Sequence, residues 1–202
     1  MSHPDLDTVC NTTPLRHLAL ARRLDLLSAV FGGKIITPRQ VFDPDEDPGG
    51  PAFQVSELGL SERYFAARSD DRDMANRWGA MLEVRQRSDI EAVDLDEGEL
   101  LIYAELLSPE FRRSANLAAP LGPGEAAVIA IAELRGCGTI MDDAAGRRIL
   151  SERVEGVVNI TTRQVIRLAV TQHELLDSSE AQILYDQIRA EGYRGPASLW
   201  GD

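Results

Sequence analysis

A chain of 202 residues with 44% hydrophobic content can bury the core of one generous domain, or of one domain carrying an insertion. A formal net charge of −12 argues against broad nonspecific nucleic-acid binding, which needs a basic surface to displace counterions from phosphates. It leaves room for an enzyme that touches nucleic acid locally through a few arginines.

In chain order, the start "MSHPDLD" has neither the basic region nor the apolar core of a signal peptide. Thr8 to Asn11 reads as a short strand and Pro14 to Leu27 as a helix closed by "FGG". "KIIT" is a second buried strand, after which Pro38 opens a helix or turn. "DPDEDPGGP" is irregular, with three prolines and two glycines in nine residues. Leu60 to Arg87 reads as one long charged helix with Trp78 and Met81 as its buried stripe. "DIEAVDL" is a strand, and Glu97 to Leu107 a helix. After the break "APLGPG", Glu125 to Arg135 is a clear helix, "GTIMDD" a strand ending in acids, and "AAGRRILSE" a helix. "GVVNI" is a strand, and "TTRQVIRLAV" a helix with a threonine cap. "DSSEAQILYDQIRA" opens on the capping box of Asp177 and Glu180, and the tail is irregular.

Short apolar strands alternating with helices predict an α/β fold with a central, mostly parallel sheet flanked by helices. The stretch from about 45 to 120 is long for one crossover and is expected to hold a helical insertion. No stretch approaches the ~18 apolar residues of a membrane span. Cys10 and Cys137 stand far apart in no metal-ligand pattern, which suits a reducing cytoplasm.

Ligands of a parallel α/β sheet bind beyond the carboxyl ends of its strands. Asn11, Asp43, Asp142 and Asp143 lie at or shortly after such ends, and Glu125 begins the helix feeding the last of them. Oxygen ligands drawn from separate strand ends suit a hard ion such as Mg²⁺ or Mn²⁺. Each residue also has a plainer role. Asn11 or Thr12 can cap the first helix, Glu125 can complement a helix dipole, and Asp142 or Asp143 can cap the helix at Ala144. "DPDEDPG" is no calcium loop, because Pro48 occupies the glycine position and Gln54 the place of the bidentate Glu.

"CNTTPLRHLALARRLDLLSAVFGGKIITPRQV" followed by "LGPGEAAVIAIAELRGCGTIMDDAAGRRIL" resembles a PIN (PilT N-terminus) domain. The closest likeness is to the branch whose first strand ends in Asn or Asp, a small residue, Ser or Thr, Pro and Leu. The resemblance implies a three-layer PIN-like fold and a metal-dependent ribonuclease, often the toxin of a toxin–antitoxin pair. The family's acids map onto Asn11, Asp43, Glu125, and Asp142 or Asp143, with Thr13 as the hydroxyl that supports the metal site. Asn11 departs from the common Asp, and "VFDPDED" departs from the family's Glu after "V-Tyr". Arg147 or Arg148, one helical turn past the acids, is placed to contact a substrate phosphate or to form surface salt bridges.

The expected activity is therefore Mg²⁺- or Mn²⁺-dependent hydrolysis of RNA, with Glu125, Asp142 and Asp143 catalytic. Expected partners are the RNA substrate, an antitoxin protein and a second copy in a homodimer, with no membrane. The competing expectation is a catalytically silent PIN-like module that binds protein or RNA, motivated by the charge lost at Asn11.

Overall fold

The computed structural model describes residues 8–32, 34–42 and 56–201. Five strands, β1 (Thr8–Cys10), β2 (Ile35–Pro38), β3 (Ile90–Val93), β4 (Gly138–Ile140) and β5 (Asn159–Ile160), form one sheet in the order β3-β2-β1-β4-β5. Every pairing among them is parallel, with Val9 of β1 opposite Ile36 of β2 and Thr139 of β4. Eleven helices connect and cover the strands: α1 (Thr12–Leu20), α2 (Asp25–Phe31), α3 (Arg39–Phe42), α4 (Glu57–Ala66), α5 (Arg72–Gln86), α6 (Glu97–Leu107), α7 (Pro109–Ser114), α8 (Pro123–Arg135), α9 (Ala144–Arg153), α10 (Thr162–Thr171) and α11 (Ser178–Ala190), counted among the described residues. The result is a three-layer α/β fold.

The alternation of side chains along each strand separates two cores. Cys10, Ile35 and Ile140 face one layer, packed with residues of α1, α2, α5, α10 and α11. Val9, Ile36 and Met141 face the other, packed with residues of α6, α8 and α9. Helix α8 is buried continuously from Ala126 to Ala132, as a helix apolar on every side must be. Burying each of its Val and Ile side chains contributes roughly 1.5–3 kcal/mol. Glu99 of α6 is fully buried. Its carboxylate accepts from Arg135 at 2.6 and 2.9 Å, clamping the start of α6 to the end of α8.

Two long helices expected from the sequence are each broken in two. The first ends at Leu20, because Arg22 takes a left-handed conformation (φ 57°) and the following amide bonds back to Leu18. Arg22 is held there by α5: its guanidinium donates to the Asn76 carbonyl at 3.0 Å and to Glu83 at 2.9 Å. The second ends at Ala66, and Asp71 caps a new helix by accepting from the amides of Asp73 and Met74. Met81 is buried as expected, but Trp78 is 37% exposed and lies outside the buried stripe. The stretch expected as a helical insertion contains the α4–α5 hairpin and also β3, which supplies a sheet edge. No helix among the described residues is long and apolar enough to cross a membrane.

Candidate active site at the reversal of strand order

The chain leaves β1 toward β2 on one side, while β4 and β5 extend the sheet on the other. The order therefore reverses between β1 and β4, and a parallel sheet opens its ligand crevice at that point, beyond the strand carboxyl ends. Asn11 follows Cys10 there, and its amide donates to the Ile140 carbonyl at 3.0 Å. Its side-chain oxygen accepts from the Thr12 amide at 2.8 Å, capping α1, and the residue is only 2% exposed.

Glu57 meets Asn11 from α4. Ser56 caps that helix by accepting from the Gly59 amide at 3.1 Å, which places Glu57 at the first helical position. One Glu57 oxygen accepts from the Thr12 hydroxyl, and the other accepts from the Gly124 amide at 3.0 Å. The N-termini of α1, α4 and α8 thus converge on one carboxylate, a favourable environment for negative charge. A Cβ at Gly124 would lie 2.5 Å from a Glu57 oxygen and 2.8 Å from the Asn11 oxygen, so glycine is required for this approach.

Glu125 sits in the first turn of α8, where its carboxylate accepts from the Gly122 amide at 2.9 Å. A Cβ at Gly122 would touch both carboxylates, at 2.9 Å from Glu57 and 3.5 Å from Glu125. Burial pushes Glu125 from its ordinary 4.5 up to about 7. The Gly122 amide pulls it back, and the charges of Asp143 and Glu57 push it up further. Asp143 is exposed and caps α9, accepting from the amides of Ala145 at 2.8 Å and Gly146 at 3.0 Å.

The two adjacent acids after β4 point to different places. Asp142 accepts from the Thr162 amide at 2.8 Å and the Thr162 hydroxyl at 2.6 Å, tying β4 to the start of α10. Burial raises its pKa, while the bonds from Thr162, the charge of Arg147 and the Tyr193 hydroxyl lower it. Burial also raises the Cys10 thiol, and the nearby Asp142 charge adds to the effect, so Asp142 lies on the layer of α1 and α10. Glu125 answers to Asp143 and Glu57 instead.

Thr13 is half-buried in α1, and the hydroxyl that meets an acid is that of Thr12. Arg147 is exposed. Arg148 pairs with Glu152 at 3.0 Å and donates to the Ala115 carbonyl at 2.9 Å. Asp43 lies outside the described residues. Glu57 has one sequence signal, the Ser56–Glu57 start of a helix, but 45 residues separate it from Thr12 and hide the pairing.

Among the described residues, no three His, Cys, Asp or Glu side chains surround one point as a metal would require. The donor chemistry nevertheless suits a hard divalent ion: carboxylate oxygens of Glu57, Glu125 and Asp143, and an amide oxygen from Asn11. Burial is the main cause of the raised Glu125, and the smaller repulsion from Asp143 and Glu57 is what a cation would relieve.

Fold and site together define a parallel three-layer α/β protein with acidic side chains gathered where the strand order reverses. No protein-family model matches the chain, and no curated protein matches it in sequence.

Proposed function

We propose that this chain is a PIN-like, Mg²⁺- or Mn²⁺-dependent endoribonuclease of the cytoplasm, acting as the toxin of a toxin–antitoxin pair. The observation that carries the reading is the Glu57 carboxylate held beside Asn11 at the end of β1, with the nearby Glu125 sensing the charges of Asp143 and Glu57. Glu57, Glu125 and Asp143, with the Asn11 amide oxygen, are the groups that would hold the ion. The bound ion supplies activated water and neutralises charge on the phosphodiester. Glu125, poised near neutral pH, can take or return a proton at its carboxylate. The links from Glu57 to Thr12 and Gly124 keep the three helix ends in register around the scissile group. On this reading an antitoxin neutralises the acidic crevice with a basic side chain and covers exposed apolar residues such as Leu100 and Leu101, 47% and 71% exposed.

A second reading is a catalytically silent module that binds RNA or protein. It is favoured by the neutral Asn11 and by Asp142, both of whose oxygens are engaged with Thr162. Cleavage of a labelled RNA by the purified chain, with Mn²⁺ and with excess EDTA, separates the two. Metal-dependent cleavage lost in Glu125→Gln supports the nuclease. Cleavage that persists in EDTA removes the metal mechanism, and no cleavage with no calorimetric Mn²⁺ site leaves the silent module.

A further inference from the structure

A groove of about 430 Å³ opens along the outside of α1 and α4, lined by Arg16, Leu60, Tyr64 and Arg77 among others. Thr12 and Arg16 are four residues apart on α1, and Glu57 is three residues from Leu60 and seven from Tyr64 on α4. Those spacings keep each set on one helical face. The Thr12–Glu57 hydrogen bond joins the same two helices at their N-terminal ends, and Arg16 lies about 6 Å farther along α1.

The lining combines one available cation with a flat stacking surface. Arg77 is neutralised by Asp73 and Glu191, whereas Arg16 forms no ion pair among the described residues. Tyr64 is 52% exposed, and the Arg68 guanidinium lies 4.0 Å from its ring centroid. Arg68 is fixed by donating to the Tyr64 carbonyl at 3.1 Å. A π-face backed by a guanidinium beside an arginine is the arrangement on which single-stranded nucleic acid stacks its bases and rests its phosphates.

Building on the ribonuclease reading, we infer that this groove is the track for single-stranded RNA leading into the acidic crevice. Arg16 meets a backbone phosphate and Tyr64 stacks an unpaired base. A duplex keeps its bases stacked on one another and cannot use Tyr64. The single available arginine makes the interaction local, in keeping with a chain of net charge −12.

The test is fluorescence anisotropy of a labelled 12-nucleotide oligouridine with the full chain, in EDTA and at several salt concentrations. Tyr64→Ala is expected to weaken binding about tenfold, and Tyr64→Phe to restore it, because stacking needs the ring and not the hydroxyl. Arg16→Gln is expected to reduce the slope of log affinity against log salt by about 0.7, the share of one single-strand phosphate contact. Thermal unfolding of each variant checks that the fold is kept. Unchanged binding by folded Tyr64→Ala and Arg16→Gln overturns the track, even if the wild type cuts RNA. Tighter binding of an RNA duplex, or of an acidic peptide competing for the groove, overturns it too. If the groove variants behave as expected while Mn²⁺-dependent cleavage is absent, the track stands and the nuclease reading falls.

Discussion

The Thr12 hydroxyl, at the first position of α1, donates to the Glu57 carboxylate, at the first position of α4. The other Glu57 oxygen accepts from α8, so a single side chain joins three helix starts at the edge of the crevice. Glu57→Gln preserves volume but turns an amide NH₂ toward a donor, and should cost about 1–3 kcal/mol of stability. Urea unfolding of Glu57→Gln, Thr12→Ala and the double variant measures the coupling. Strictly additive losses would show that the two residues do not act as a pair.

Glu125 sets a pH dependence of stability. Its folded pKa of about 7 lies above the ordinary 4.5, so between these values the folded chain holds a proton that the unfolded chain has released. Stability from this group is complete below about pH 4.5 and is lost as pH rises through 7. The full loss corresponds to about 3 kcal/mol. Glu125→Gln should therefore be more stable than the wild type at pH 8, nearly equal to it at pH 4.5, and inactive toward RNA. Denaturation curves at both pH values check the sign, and a wild-type advantage at pH 8 would refute it.

Asp142 and Asp143 should separate by function. Asp142→Ala leaves the Thr162 amide and hydroxyl without their acceptor and should lower stability by about 1–3 kcal/mol. Its Mn²⁺ affinity should stay within about twofold of the wild type, since the Glu125 carboxylate is coupled to Asp143 and Glu57 instead. Asp143→Asn should instead weaken Mn²⁺ binding while still capping α9. Calorimetric titration of both variants decides which acid belongs to the ion.

Asn11→Asp adds a charge at a 2%-exposed position beside Glu57. Two buried like charges repel, so the metal-free protein should lose stability, whereas Mn²⁺ should bind roughly tenfold more tightly, about 1.4 kcal/mol. Asp caps a helix as well as Asn does, so a capping role alone predicts the loss of stability from repulsion but no change in Mn²⁺ affinity. Equal Mn²⁺ dissociation constants would move Asn11 out of the site.

Much of the architecture is legible in one dimension. The apolar strands "TVC", "KIIT" and "GTI" and the helix starts at Asp96, Thr161 and Asp177 rest on nearest-neighbour chemistry, on side-chain alternation and on capping. The same local chemistry brings Asn11, Glu125 and the Asp142–Asp143 pair to strand ends and first helical turns. The break at Arg22 has no such local signal. The left-handed turn at Arg22 contains no glycine and is held by contacts with α5, 54 and 61 residues away.

Composition and periodicity alone determined an acidic, layered α/β chain with polar groups at the ends of its parallel strands. Only the tertiary structure decided which of those groups meet. The sheet order set β1 beside β4, the close approach at Gly124 brought in Glu57, and the amide and hydroxyl of Thr162 drew Asp142 to the opposite layer. Secondary structure depends on interactions within a few residues, whereas the crevice depends on partners 20 to 67 residues apart, whose pairing is settled by packing.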